Sequence, residues 1–361
     1  MFWAAVFFRC WVDAIGFFSV KRLGCLRPAM SGHRIEDKPF AKNNMNDKDM
    51  PILGEKLIAA FKADVEDFFP ENINFQLNIE KDGFNPPRCK GVGCKTRIML
   101  PTIYYEKEVD TYEEMALMIV VLGHEAAHFL NRHNEHNDES SLESQSIEMW
   151  ADYYGVILAL VAITFGQNIQ LITDSLKVES SMKFRIQSFA YAFSMLANSY
   201  FANSHPNYPS AGVRVSTCIA GVLSFFEKIF TFQALQRGDI KEVINSQNPK
   251  IIVERAFCIQ QWIYENKDLM KLCKEPSTDQ LSSEQVKLIA KIHREIQSKQ
   301  KPLFESMNAI PALWLRRSFD IPEEDRQVMA KERLATLEKT LESLGLDSSA
   351  LDEYRNKRPS A

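Results

Sequence analysis

Five consecutive residues, His124-Glu125-Ala126-Ala127-His128, carry two imidazoles and a carboxylate at a spacing that a helix would aim at one point. Residues four apart on an α-helix share a face, about one turn apart. His124 and His128 can therefore direct two ring nitrogens at a single ion, and Glu125 can reach a water held by that ion. Peptide hydrolysis uses this set: zinc lowers the pKa of a bound water to near 7 and polarises a carbonyl, while a carboxylate takes the proton. The apolar approach over 115–123 (MALMIVVLG) buries the helix and fixes the ligands. The bland alternative is a helix with two hydrogen-bonded histidines, and a third ligand decides between the two.

One route to a third ligand fails on the sequence. The metzincin arrangement requires Gly and His three and six residues after the second ligand, where this chain has Asn131 and Asn134. His133 and His136 are out of that register, and the polar loop 131–146 predicts that both are solvated. A second route starts twenty positions after His128, at Glu148-Met149-Trp150-Ala151-Asp152-Tyr153-Tyr154-Gly155. Glu148 and Asp152 are four apart, so both face the same way on a returning helix. Two carboxylates among apolar and aromatic neighbours need partners. A metal for Glu148 and an imidazole N–H for Asp152 would supply them; ordinary acids at a helix N-terminus are the alternative.

H-E-x-x-H followed by E-x-x-A-D-x-x-G resembles the gluzincin metallopeptidases, specifically the HtpX-like and CAAX-prenyl-protease group. Ser204-His205-Pro206, with Arg214 after it, stands in the order of a further segment of that group. The resemblance spans about residues 110–216. It implies that His124, His128 and Glu148 bind one Zn2+ per chain, that Glu125 is the base, and that Asp152 orients a ligand from behind. It places His205 or Arg214 near the site, His205 as a donor to a developing oxyanion. A helix-ending His-Pro turn and a structural partner of a carboxylate are the other roles open to these two. Most of the group has several membrane spans and this chain shows none, so a soluble branch is implied. The Lit-type phage-exclusion peptidases are a second, weaker resemblance. Besides a general metalloendopeptidase, the sequence leaves open a narrow-specificity toxin-type peptidase and a catalytically silent zinc-binding regulatory module.

The elements that position these residues follow from periodicity. Helical spacing runs from Leu53 to Phe69 and stops at Pro70. INFQLNIE (73–80) alternates like a strand, and Thr96–Tyr105 is a further extended candidate after a Gly- and Pro-rich loop. Pro101 predicts that this second segment is an edge strand, suited to pairing with an extended substrate. Thr111-x-x-Glu114 fits a capping box opening a helix that runs to about His133. Another helix spans about Leu142–Thr164, and its apolar later half (VILALVAI) predicts a buried core helix. Further helices are expected over 175–202, 210–235, 250–273, 282–299 and 322–345. The fold class is mainly α: a zincin-like metallopeptidase core with a small β-sheet and a C-terminal helical region. Residues 1–50 read as an N-terminal extension and flexible leader, 51–235 as the peptidase domain, and 236–361 as the helical region.

Composition bounds the rest. The 361 residues are 45% hydrophobic and 25% charged with net charge −4, a balance that argues against a nucleic-acid-binding surface. Seven cysteines, odd in number and scattered, point to reduced thiols and a cytoplasmic protein. Cys89 and Cys94 supply two ligands at most, so they are expected as free thiols. The apolar first twenty residues are interrupted by Arg9 and Asp13 and followed by Lys21 and Arg22. They suit an upstream extension before Met30 or an interfacial contact better than a membrane span. The expected partner is a peptide or protein substrate; nothing in the sequence sets an oligomeric state.

Overall fold

The computed structural model describes residues 52–83, 86–136, 140–176, 181–202, 207–236 and 249–274, with shorter stretches at 242, 288–289, 291–293, 295–296 and 302–308. The leader over 1–50 and the helix expected over 322–345 lie outside the described residues. The structure is mainly helical with small sheets, as the periodicity predicts.

In chain order, β1 (Ile52–Leu53) leads into α1 (Gly54–Asp67). The buried positions of α1, Leu57, Ile58, Phe61 and Val65, recur at three and four residues, which gives the helix one core face. β2 (Ile79–Asp82), β3 (Arg88–Lys90) and β4 (Arg97–Pro101) form one sheet, followed by a helical turn α2 (Thr102–Glu106) and β5 (Glu108–Val109), which pairs with β1. The long helices are α3 (Tyr112–Asn131), α4 (Ser141–Phe165), α6 (Met182–Asn198), α7 (Ala211–Gln236) and α8 (Pro249–Tyr264). Shorter helices are α5 (Gln167–Ser175) and α9 (Lys267–Lys274).

The sheet departs from expectation in two ways. Of the segment 73–80 only Ile79 and Glu80 lie in a strand. Its alternation is satisfied by helices instead: Phe75 stacks on Phe69 at 3.7 Å and meets Phe129 edge-on at 5.9 Å, while the Leu77 N–H donates to Glu66 Oε1 at 2.8 Å. The second departure concerns β4, which is the central strand in the order β2-β4-β3, not an edge. Pro101 is tolerated because it is the last residue of the strand, paired with Asp82 at the end of the ladder, where its missing N–H interrupts nothing. The outer strands of this sheet are β2 and β3.

The first site-bearing helix starts at its predicted cap, and the second at a serine cap not anticipated from the sequence. Thr111 Oγ1 accepts from Glu114 N at 3.2 Å, and the Glu114 carboxylate accepts in return from Asp110 N at 3.1 Å. Ser140 Oγ accepts from Glu143 N at 3.3 Å to open α4. Helix α4 is long and apolar enough to cross a membrane, but 83% of its most apolar stretch is buried inside the protein, as expected of a core helix.

Helices α3 and α4 pack with their backbones in contact. A Cβ on Gly123 would lie 2.3 Å from Gly155 O, and one on Gly155 would lie 2.6 Å from both Cα and N of His124. The two glycines therefore close the gap between the helices at the residue that carries the first imidazole. Replacing Gly155 by Ala gains about 1 kcal/mol of helix propensity, but the added methyl meets rigid backbone, and overpacking of that kind costs about 1–3 kcal/mol or more. Gly155→Ala is therefore expected to lower the urea unfolding midpoint, while Gly83→Ala, whose Cβ would meet nothing within 4 Å, leaves it unchanged. Equal midpoints for the two variants would mean that the helices are not in this contact.

Candidate metal centre

The His124 and His128 side chains project from the face of α3 that meets α4, and both are buried. Their Nε2 atoms stand 3.2 Å apart. From α4, Glu148 reaches between them, with Oε2 3.5 Å from His124 Nε2 and Oε1 3.5 Å from His128 Nε2. The three residues offer one ligand atom each, all within 4.8 Å of one another, and could hold a metal ion. One turn further along α4, Asp152 Oδ1 lies 2.9 Å from His124 Nδ1, an oblique approach on the side of the ring away from Glu148. An N–H at Nδ1 leaves the Nε2 lone pair facing the ligand cluster.

Asp152 is gripped from its far side. Arg214 of α7 donates from Nε to Asp152 Oδ2 and from Nη2 to Asp152 Oδ1, both at 2.8 Å, and Nη2 also lies 3.2 Å from Glu148 Oε2. The guanidinium is 2% exposed and sits over the Phe201 ring at 4.1 Å. Its planar fork fits a carboxylate at two points, which a lysine could not do. Glu125 is also buried, at 1% exposure, and its Oε1 accepts from the Tyr200 hydroxyl at 2.7 Å. Tyr200 Oη lies 3.3 Å from Pro87 O as well, which ties the site to the entrance of β3.

The electrostatics follow from this crowding. Burial opposes charge on His124, but its contacts with Asp152 and Glu148 more than offset that and push its pKa up to about 10. Burial takes His128 the other way, down to about 4. Burial works against the Glu148 carboxylate, yet His128, the hydrogen bond to His124 and the Arg214 guanidinium hold it well below the usual carboxylate range. Glu125 is raised by burial, against the pull of His124 and the Tyr200 hydrogen bond. Fully ionised, the three carboxylates Glu125, Glu148 and Asp152 face one guanidinium, Arg214, for a net −2. A divalent cation beside them would balance that charge.

His124, Glu125, His128, Glu148, Asp152 and Arg214 are thus brought together, and Arg214 takes the carboxylate-partner role. His205 lies in 203–206, outside the described residues. Cys89 and Cys94 carry free thiols; Cys89 is half-buried, and burial with Glu125 nearby pushes its thiol up. Two site neighbours were not anticipated. Tyr200 is one of ten tyrosines, and no spacing rule singles it out. His133, expected in solvent, is 3% exposed, with its Nδ1 3.2 Å from His128 Nδ1. The cause is local: Arg132 adopts a left-handed conformation (φ 55°, ψ 33°) at the end of α3, which folds the next residue back beneath the helix. His136, also expected in solvent, is half-buried, with Nε2 3.5 Å from Glu143 Oε2.

Compared with protein-family models, curated proteins and solved structures, the chain matches none.

Removing the shared guanidinium of this network leaves the buried Asp152 and the half-buried Glu148 with only their histidine contacts. Breaking a buried ion pair from one side costs about 3–5 kcal/mol. Arg214→Met is therefore expected to lower unfolding stability in urea by about that amount. A loss below about 1 kcal/mol would show that Arg214 does not hold Asp152 and Glu148.

Proposed function

We propose that this chain is a zinc-dependent peptidase of the gluzincin type. The observation that carries the proposal is the convergence of three ligand atoms within 4.8 Å of one another, the two imidazole Nε2 atoms 3.2 Å apart and each 3.5 Å from one of the two Glu148 oxygens. Ligands about 2.0–2.1 Å from a tetrahedral ion stand roughly 3.3–3.4 Å apart. Two imidazoles and a carboxylate are also a donor set that zinc accepts in catalytic sites, where a fourth position is left open. His124, His128 and Glu148 would hold the ion, and Asp152 would orient His124. When bound, zinc would acidify a water and polarise the scissile carbonyl.

The chain's own residues account for the proton. Glu125 sits beside His124, inside the hydrophobic wall, and burial raises its proton affinity. It is suited to accept a proton as the water oxygen bonds to the carbonyl carbon, and to pass it to the amide nitrogen as the C–N bond breaks. One water is consumed, and a carboxylate and an amine leave. The Tyr200 hydroxyl fixes the Glu125 carboxylate at 2.7 Å, which limits its rotation between the two transfers. Arg214 holds the Asp152 and Glu148 carboxylates in place. Of the two outer strands of the sheet, β3 is the one tied to this site through Pro87 and Tyr200, so an extended peptide substrate would pair there.

Purified protein is expected to contain about one zinc per chain by elemental analysis, and His128→Ala to lose it. Glu125→Gln should keep the zinc and lose peptide hydrolysis by about 100-fold or more, the usual share of a general base. Full hydrolysis by zinc-loaded Glu125→Gln would refute this mechanism.

A further inference from the structure

Among the described residues, no carboxylate contacts Nδ1 of the second candidate ligand, His128. Asp152 serves His124, and the atom that faces His128 Nδ1 is the Nδ1 of His133, at 3.2 Å. His133 continues the line: its Nε2 lies 3.0 Å from Nε2 of His293, a residue 160 positions further along the chain. His293 is fully buried, and its ring lies 4.9 Å from that of Trp150 on α4, tilted by 31°. The neighbouring backbone is anchored to the same helix, since Ser146 Oγ donates to Ile289 O at 3.0 Å. Three imidazoles therefore run from the ligand cluster into the C-terminal part of the chain.

A contact between two ring nitrogens holds one hydrogen, so the direction of this line is determined by its first member. A cation at His128 Nε2 takes that nitrogen's lone pair, which puts the hydrogen on Nδ1. His133 Nδ1 must then accept, so the His133 hydrogen sits on Nε2 and is donated to His293 Nε2. His293 in turn carries its hydrogen on Nδ1. Every N–H in the line points away from the ion, the polarity that strengthens a metal-bound imidazole and holds its ring in place.

We propose that His133 is the positioning residue of the ligand His128 and that His293 holds His133, so that the C-terminal part of the chain completes the metal centre. The inference rests on the metal reading above and goes beyond it, because neither residue touches the ion or the substrate. It also gives a reason for two histidines to be buried side by side here.

The test is zinc affinity, measured on the full-length protein by competition with a chelator of known strength. His133→Leu is expected to weaken zinc binding about 10- to 100-fold, the usual effect of losing such a partner. His133→Asn, which keeps an acceptor oxygen near the position of Nδ1, should stay within a few-fold of wild type. His293→Leu should fall between them. Unchanged affinity in His133→Leu, or an equal loss in the Leu and Asn variants, would overturn the proposal. Wild-type protein that binds no zinc would instead remove the peptidase reading, and this proposal with it. A variant that fails to fold leaves a second readout, nitrogen NMR of the histidine rings in zinc-loaded wild type. His133 is expected as the Nε2–H tautomer, and finding it as Nδ1–H would overturn the proposed direction.

Discussion

Two helix backbones touch at Gly123 and Gly155, and the geometry of the site depends on that contact. Side chains usually hold packed helices 8–10 Å apart. Here there is no Cβ at the crossing, so the backbone of α4 lies against the backbone of His124 itself. Glu148 and Asp152 lie seven and three residues before Gly155, which places both on the face of α4 turned toward the two imidazoles. Were the helices separated by even one methyl group, the 3.5 Å approaches of Glu148 would open and the oblique 2.9 Å contact of Asp152 would be lost first. The Gly of E-x-x-A-D-x-x-G is therefore as much a part of the ligand cluster as its carboxylates.

Close packing of that kind concentrates charge in the protein interior. Glu125, Glu148 and Asp152 are brought together where isolated carboxylates would be strongly disfavoured. The structure meets this with a single guanidinium that touches two of the three, and with a tyrosine hydroxyl on the third. The remaining imbalance appears in the histidines. His124, between two acids, is driven toward its protonated form, whereas His128, one turn away with fewer acid contacts, is driven toward neutrality. Burial disfavours charge on both rings; at His124 the contacts with Asp152 and Glu148 outweigh it, and at His128 it prevails. The same field that protonates His124 is the field that would attract a divalent ion in place of the proton.

Most of this was legible in the sequence because it rests on helical periodicity. The pairs His124/His128 and Glu148/Asp152 each repeat at four, and any helix places such residues on one face. The cap at Thr111 and the core role of α4 follow from equally local rules. The sheet was less legible, for a physical reason. Alternation over 73–80 records only that alternate side chains are apolar, and Phe69 and Phe129 can cover one side of Phe75 without a neighbouring strand. Pro101 misled in a similar way. A proline excludes a central ladder position only where an N–H is needed, and the end of a strand needs none.

His133 shows where local reading stops. Its neighbours, Asn131, Arg132, Asn134, Glu135 and His136, are polar, and a polar run normally follows the surface. Its position is set by one backbone torsion and one distant partner. A positive φ at Arg132 is uncommon for a residue with a long side chain, and it reverses the chain so that the next ring returns to the base of α3. The partner, His293, comes from the far end of the described chain. Neither a non-glycine left-handed turn nor a pairing across 160 residues has a periodic signature. Composition alone therefore separates the C-terminal part from the HEAAH helix, although a line of buried imidazoles joins them. The two candidate ligands on α3 are in this way backed from different directions: His124 by the acids of α4, and His128 by a histidine line reaching the C-terminal part.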